Sequence, residues 1–181
     1  MENRFIPIVV WPLIGVDVND TALERCSEKT SFEHEGANGK VYVKKGDARN
    51  LNFISSDKID LICTHPPYAD IIKYSEDIDN DLSLLKVKDF LKEMKPVAFE
   101  CYRVLKKGKF CAVLMGDTRQ KGHMIPMSFD VMRIFQDVGF KLKELIIKEQ
   151  HNCRATGYWK TNSVKYNFLL IAHEYLFVFE K

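Results

Sequence analysis

The feature that most constrains this chain is a pair of prolines placed directly after a short apolar run. Residues 59–63 have the length and composition of a buried β-strand, and Thr64-His65-Pro66-Pro67-Tyr68 follows them. Proline fixes φ and has no backbone N–H, so the strand must end there. The residue before a proline is also held extended, which predicts a rigid turn at the carboxyl end of this strand.

Apolar runs alternate with amphipathic stretches along the chain, a pattern typical of α/β proteins. The apolar runs predict strands at residues 13–18, 41–45, 59–63, 110–115, 140–148 and 166–179. Apolar residues at helical spacing predict helices that begin near Asp20 and that span residues 87–105 and 127–138. Residues 149–165 contain no apolar pattern of helix length, so we expect the last two strands to pair antiparallel.

Local features set the expected helix ends. We expect Asp20 to cap the first helix and Pro96 to kink or split the second. The run Lys106-Lys107-Gly108 is expected to end that second helix, because cations favour a helix C-terminus and glycine stops the helix there.

The bulk composition bounds the class of protein. The 181 residues suit one domain, and 46% of them are hydrophobic, which excludes a disordered chain. The net charge of +2 neither indicates nor excludes a nucleic-acid partner, because a local basic face is enough for binding. The five cysteines include no C-x-x-C pair, and no apolar run reaches the length of a membrane span. We therefore expect a reduced, cytoplasmic protein with no metal site and no membrane partner.

The residues of the proline turn suit work on an amino group attached to an aromatic ring. Such an amino group is a poor nucleophile, because its lone pair is delocalised into the ring. An acceptor on His65 and a rigid carbonyl near Pro66 would bond the amino group and stabilise the charge that develops on it. Neutral imidazole can accept such a bond, whereas imidazolium cannot. Tyr68 offers an aromatic face on which an extruded base could stack.

The turn also carries a family resemblance. Thr64-His65-Pro66-Pro67-Tyr68 is similar to the (D/N/S)-P-P-(Y/F/W) motif of amino-group DNA methyltransferases, which act on adenine N6 or cytosine N4. Relatives that modify tRNA guanosine at N2 share this motif. Further segments resemble the family in the family's own order: Ile14–Asn19, Gly46–Arg49, Arg103–Gly108 and His173–Phe179. We expect one methyltransferase-like domain over residues 1–181. The resemblance covers roughly residues 13–181 and implies a Rossmann-like class I methyltransferase sheet, mostly parallel, with an antiparallel C-terminal hairpin.

The resemblance also implies a cofactor and a set of site residues. It assigns S-adenosyl-L-methionine as the cofactor, bound by Asp17, Asn19, Asp47, Ala48 and Thr64. It assigns catalysis to His65, Pro66, Pro67 and Tyr68. His65 stands where family members more commonly have Asp, Asn or Ser. The preceding Thr64 weakly favours the T-S-P-P-Y pattern of cytosine enzymes. Adenine and cytosine therefore both remain open as the target.

One part of the family pattern has no counterpart. Family members open with a strand and a glycine-rich turn, but none of the thirteen residues before Ile14 is glycine. We expect residues 1–12 to be an atypical N-terminal segment, and residues 5–11 to be a strand. This strand cannot be the parallel neighbour of residues 13–18, because a parallel crossover needs about a dozen residues.

The missing turn leaves several explanations open. The first is a natural truncation that binds the cofactor poorly or not at all. The second is one half of a split enzyme, completed by a partner that carries the glycine-rich turn. The third is a chain whose residues 5–11 patch the sheet, for example through dimerisation. Unpaired backbone edges in the middle of a sheet are costly. We therefore expect a partner subunit or a homodimer to complete the sheet.

Other polar segments are candidates for nucleic-acid contact. Residues 149–160 are polar, basic and aromatic, so Arg154 and Lys160 are expected on phosphate, with Tyr158 or Trp159 stacking on bases. The alternative is an ordinary long connection with a packed tryptophan. Residues 116–123 offer Arg119 and Lys121 for the same purpose, or form a solvated loop. The acidic residues 76–81 are expected to cover the site away from the nucleic-acid backbone.

Three functional hypotheses follow. The first is a DNA amino-methyltransferase or one subunit of such an enzyme. The second is a catalytically silent module that binds nucleic acid or protein, which the missing glycine-rich turn supports. The third is an RNA methyltransferase, for example one that acts on tRNA, although the sequence shows no RNA-binding appendage.

Overall fold

The computed structural model describes residues 12–30, 40–69, 75, 78, 80–150 and 156–181. The predicted strand at residues 5–11 and Arg154 lie outside these ranges. The strands are β1 (Leu13–Asp17), β2 (Val41–Lys45), β3 (Ile59–Thr64), β4 (Leu105–Met115), β5 (Thr118–Gln120), β6 (His123–Ile125), β7 (Lys141–Glu149) and β8 (His173–Glu180). The helices are α1 (Asp20–Thr30), α2 (Val87–Val104), α3 (Met127–Val138) and α4 (Thr156–Lys165), with a short 3-10 turn at Leu82–Leu84.

The strands form two parallel pairs and an antiparallel closing unit. Strand β1 pairs with β2 in parallel, and a separate sheet has the order β3-β4-β8-β7. In that sheet β3 and β4 run parallel, whereas β8 is antiparallel to both β4 and β7. The small hairpin β5–β6 follows β4. The predicted α/β architecture and the predicted antiparallel pairing of the last two strands are both confirmed.

The core lies between the four-stranded sheet and the helices α2 and α3. Phe90 and Met94 of α2, Phe135 of α3, and Phe177 and Phe179 of β8 are all fully buried. The ring of Phe135 stacks on that of Phe179 at a centroid distance of 5.2 Å. Each such aromatic side chain contributes about 1.5–3 kcal/mol when it leaves water. This packing fixes the sheet whose carboxyl end forms one wall of the site.

The start of α1 corrects one expectation. The side-chain oxygen of Asn19 accepts hydrogen bonds from the backbone N–H groups of Thr21, at 2.9 Å, and Ala22, at 3.4 Å. Asn19 is therefore the cap, and the prediction for Asp20 was wrong by one position. Asp20 lies in the first turn, where a carboxylate favours the helix dipole, and it pairs with Lys45 at 2.5 Å.

The long helix α2 corrects two further predictions. The helix runs unbroken from Val87 to Val104 with Pro96 inside it, so the predicted split is wrong. Met94 and Val97, on either side of the proline, are buried in the core, and this packing stabilises the helix on both sides of Pro96. The helix also ends earlier than expected, because Leu105 already pairs with Ile59 in the parallel register of β3 and β4. The run Lys106-Lys107-Gly108 therefore belongs to strand β4.

The segment before β8 differs most from expectation. Helix α4 occupies residues that were predicted to contain no helix, and β8 begins at His173 instead of Tyr166. Helix α4 exposes Tyr158, Trp159 and Val164, so it has no apolar face that a sequence pattern could reveal. Within the described residues, no helix combines the length and the apolar composition that a membrane crossing requires.

Candidate active site

A cavity of about 300 Å³ lies where the carboxyl ends of β1, β2 and β3 meet. The carboxyl ends of strands are the usual place for a ligand in an open α/β sheet. The structure brings together here all the residues predicted to hold a cofactor and most of those predicted to act on the substrate: Asp17, Asn19, Asp47, Ala48, Thr64, His65, Pro66 and Pro67. Segments far apart in the sequence thus form one site.

The wall of the cavity is apolar on the side of α2. Met94 and Val97 of α2 and Val16 of β1 line this part. Asn80 and Asp81 also line the cavity, so the end of the acidic segment does border the site. Residues 76, 77 and 79 of that segment lie outside the described residues. The site therefore pairs an apolar surface with a few polar groups, as small-molecule sites commonly do.

Asp17 ends β1 with its carboxylate at the cavity. Its Oδ1 accepts the backbone N–H of Asn19 at 2.8 Å, and its backbone carbonyl accepts the N–H of Gly46 at 3.0 Å. The second bond ties the turn after β2 to the end of β1. Asn19 lines the cavity as well, but its side-chain oxygen caps α1.

Asp47 is held by the residue two positions later. The Arg49 Nε lies 3.0 Å and 2.9 Å from the two carboxylate oxygens of Asp47, and its Nη2 lies 2.6 Å from Oδ2. Burial acts to raise the pKa of Asp47, but the hydrogen bonds from Arg49 outweigh burial and lower the pKa. Arg49 also binds Glu93 of α2 and, at 2.8 Å, the side-chain oxygen of Asn80. The Asp47 carboxylate is thus anchored, and sequence reasoning did not single out Arg49.

The proline turn positions His65 against Tyr68. The His65 Nε2 lies 3.2 Å from the Tyr68 hydroxyl oxygen, and the two rings meet edge to face at 5.5 Å. The Tyr68 hydroxyl donates to Glu174 on β8. His65, Pro66 and Pro67 line the cavity, whereas Tyr68 is absent from its lining. Stacking of a base on Tyr68 stays a prediction, since the structure directs this side chain toward β8.

Glu174 is a residue that sequence reasoning missed. Its side chain is only 5% exposed, and its Oε2 accepts the Lys148 ammonium at 2.6 Å. Burial acts to raise the pKa of Glu174, but hydrogen bonds from Lys148, Tyr68 and Gln150 outweigh burial and lower the pKa to about 2. The only signal in the sequence was a carboxylate at the start of an aromatic, apolar strand.

The predicted nucleic-acid contacts fall on two surface elements. Lys121 lies at the tip of the β5–β6 hairpin with a φ of +49°. The Arg119 guanidinium is occupied within the protein, since it donates to the carbonyls of Gly122 and Leu169 at 3.0 Å and 3.2 Å. It also lies 5.0 Å from the centre of the Phe168 ring. Arg119 thereby joins the hairpin to the segment that precedes β8.

The other predicted contacts lie on α4. Tyr158 is 68% exposed and Trp159 is 50% exposed, and their rings meet edge to face at 5.3 Å. Lys160 is exposed on the same helix. Half of Trp159 is open to solvent, and nucleic-acid contact by this helix stays a prediction beside the alternative of an ordinary connection.

The sheet order and the cavity define a protein of the class I methyltransferase fold. Residues 59–181 match the family model N6_N4_Mtase, described as DNA methylase, and the chain belongs to this family. The chain is 31% identical over 107 residues to the type II methyltransferase M.MjaVI of Methanocaldococcus jannaschii, a match that covers 59% of this chain and 53% of the relative. The chain thus spans about half the length of this curated relative.

Solved structures agree on the fold. The PvuII DNA methyltransferase, described as cytosine-N4-specific, matches with a TM-score of 0.60 and 21% identity over 80% of this chain and 49% of that one. A candidate DNA modification methylase of Thermus thermophilus, solved with S-adenosyl-L-methionine, matches with a TM-score of 0.54 and 22% identity. That match covers 75% of this chain and 53% of the other. The predicted family and fold are therefore confirmed.

Proposed function

We propose that this chain uses S-adenosyl-L-methionine to methylate an exocyclic amino group of a DNA base, at cytosine N4 or adenine N6. The observation that carries the proposal is the cavity that joins the acidic ends of β1 and β2 to the proline turn after β3. A donor of methyl groups and its acceptor must meet in one place, and positioning them together lowers the barrier to transfer. Membership of the DNA methylase family supports DNA as the substrate.

The residues on the β1 and β2 side fit the cofactor. Asp17 offers a carboxylate to the ribose hydroxyls, and the apolar wall of Val16, Met94 and Val97 offers a surface to the adenine ring. The Asp47 carboxylate is engaged by Arg49, so we assign the polar contact at this turn to the backbone of Asp47 and Ala48. When bound, the cofactor supplies a methyl group already activated on a sulfonium.

The residues on the β3 side fit the amino group. The proline pair holds the backbone rigid, so the carbonyls near Pro66 can accept hydrogen bonds without rearrangement. His65 adds a side-chain acceptor at the same edge of the cavity. By accepting hydrogen bonds from the amino group, they would increase the electron density on its nitrogen as it attacks the methyl group. Only a neutral imidazole can accept such a bond, so this role requires a neutral His65.

The pairing of β1 with β2 in a sheet separate from that of β3 supports a role for a partner chain. Among the described strands, β1 pairs only with β2, and β3 is the terminal strand of its sheet. The carboxyl ends of β1 and β3 nevertheless line the same cavity. Leu13 and Ile14 on β1 and Leu61 on β3 are 42–59% exposed. We propose that a further strand, contributed by a partner subunit or a second copy of this chain, joins the two sheets and completes the cofactor site.

Calorimetric titration with S-adenosyl-L-methionine tests the first part. The purified chain is titrated alone and then with candidate partners encoded beside it. Binding in either arm supports the enzyme, and binding only with a partner supports the joined sheet. No binding in any combination would overturn the proposal in favour of the catalytically silent module.

A transfer assay tests the second part. Methyl groups labelled on the cofactor are followed onto duplex DNA and onto tRNA, and the modified base is identified after hydrolysis. N4-methylcytosine or N6-methyladenine supports the proposal and decides the target base. Label that enters only tRNA would replace DNA by RNA as the substrate.

A further inference from the structure

Glu174 is a buried carboxylate that contacts His65 and Tyr68 of the proline turn. It lies on β8, which runs between β4 and β7 in the sheet, and it comes 106 positions after Tyr68 in the sequence. Glu174 lines no part of the cavity itself. Its Oε1 lies 3.6 Å from the His65 Nε2 and accepts the Tyr68 hydroxyl, while its Oε2 accepts Lys148. A buried charge so placed requires an account beyond packing, because burying a charge is costly.

The direction of each hydrogen bond follows from the chemistry of the groups. A carboxylate has no hydrogen to donate, so the Tyr68 hydroxyl must donate to Glu174. The hydroxyl has one hydrogen, so its oxygen is left to act as an acceptor toward His65. The His65 Nε2, at 3.2 Å from that oxygen, must therefore carry a hydrogen that it donates to the hydroxyl oxygen. A neutral imidazole with a protonated Nε2 has an unprotonated Nδ1.

The remaining nitrogen is then the acceptor. No group among the described residues bonds the His65 Nδ1, and the His65 side chain is 44% exposed at the cavity. We infer that Glu174 is a positioning residue that acts through Tyr68 to fix the tautomer and orientation of His65, leaving Nδ1 to accept a hydrogen bond from the substrate amino group. The last step rests on the proposed function, whereas the tautomer does not.

The competing explanation is a purely structural ion pair. Lys148 and Glu174 face each other in the register of β7 and β8, and such cross-strand pairs stabilise sheets. The same two strands carry a second pair, Lys143 and Glu180, at 3.2 Å. That pair has no contact with the proline turn, so Glu180→Gln is a matched control for Glu174→Gln. The control removes an equivalent charge from the same strand.

Nitrogen NMR of the histidine rings in the full chain reads the tautomer directly. His65 is assigned by the loss of its signals in His65→Gln. In the unmodified chain we expect a protonated Nε2, with its hydrogen protected from exchange with water, and an unprotonated Nδ1. Tyr68→Phe removes the acceptor, and Glu174→Gln substitutes an amide that both donates and accepts. Both variants should lose the protected signal, and Glu180→Gln should keep it.

Two outcomes would overturn the inference. One is a protonated Nδ1 in the unmodified chain, and the other is an unchanged Nε2 signal in both Tyr68→Phe and Glu174→Gln. If Glu174→Gln fails to fold, Tyr68→Phe decides alone. The measurement needs no methyl transfer, so failure of the proposed function would leave its result standing.

If methyl transfer is detected, the kinetics of the variants provide a second test. Glu174→Gln should lower kcat by about 10- to 100-fold, the range typical of residues that orient a functional histidine, with cofactor affinity unchanged. The double variant Tyr68→Phe/Glu174→Gln should be no slower than the slower single variant, because both act through one chain of bonds. A Glu174→Gln enzyme as fast as Glu180→Gln, or fully additive losses, would contradict the inference.

Discussion

Gly116 lies against the ring of Tyr68 so closely that a Cβ at this position would fall 2.9 Å from the Tyr68 Cε1 and 3.0 Å from its hydroxyl oxygen. Gly116 follows β4, and Tyr68 follows β3, so the contact joins the ends of two parallel strands. Tyr68 cannot swing away freely, because its hydroxyl is bonded to Glu174. The glycine thus allows the tyrosine to occupy its place beside His65.

We predict that Gly116→Ala displaces Tyr68 and slows methyl transfer. Forcing an extra methyl group into a filled space costs about 1–3 kcal/mol, measured as the free energy of unfolding in urea. Gly157→Ala is the control, because a Cβ at this position on α4 would meet nothing within 4 Å. That control should leave stability equal or slightly higher, since alanine favours a helix. An equally tolerated Gly116→Ala would refute the close packing.

His65→Ala is expected to abolish methyl transfer while leaving the affinity for S-adenosyl-L-methionine nearly intact. The reason is that His65 lies on the proline-turn side of the cavity, away from Asp17 and Asp47 at the other strand ends. Calorimetry and the transfer assay, run on the same preparation, separate the two effects. Loss of both activity and cofactor affinity would contradict the assignment of His65 to the substrate side of the cavity.

Asp17→Ala is expected to weaken cofactor binding by about 10- to 100-fold, the equivalent of one or two hydrogen bonds to a charged group. Asp20→Ala is the matched control, since Asp20 carries the same charge three residues later and is paired with Lys45 on the surface. Calorimetric dissociation constants for both variants check the prediction. Equal losses from the two variants would indicate a general charge effect instead of a contact.

The stability of the protein should fall in acid through Glu174. The folded pKa of about 2 lies below the ordinary glutamate pKa of 4.5, so the stabilisation is fully present above about pH 4.5. It is lost as the pH falls from there toward 2, and the shift corresponds to on the order of 3 kcal/mol. Urea unfolding at pH 7 and pH 3 should therefore show a larger loss in the unmodified chain than in Glu174→Gln. Equal losses in both would contradict the low pKa.

Leu61→Asp is expected to block association with the partner strand without destabilising the isolated chain, because this side chain is 59% exposed on β3. Phe99→Asp is the control, as Phe99 is 51% exposed on α2. Light scattering after size-exclusion chromatography gives the oligomeric state of each. A well-folded chain that stays monomeric and binds cofactor alone would argue against a joined sheet.

Much of the site could be read from the sequence because its parts are local. A strand that ends at Pro66-Pro67, and acids at the ends of two other apolar runs, are patterns within a few residues. The family resemblance assigned Asp17, Asp47 and His65 to one site, and the structure places all three at the same cavity. The α4 helix escaped prediction because its apolar residues face solvent and carry no helical period.

The sequence by itself determined the α/β pattern, the turn that presents His65, and the family. Only the tertiary structure decided what surrounds these groups. The contacts of Arg49 with Glu93 and of Tyr68 with Glu174 join residues 44 and 106 positions apart, so no local spacing encodes them. The sequence of a strand does not show whether a carboxylate in it faces water or a tyrosine. The folded structure determines this, because a buried charge without a partner is too costly.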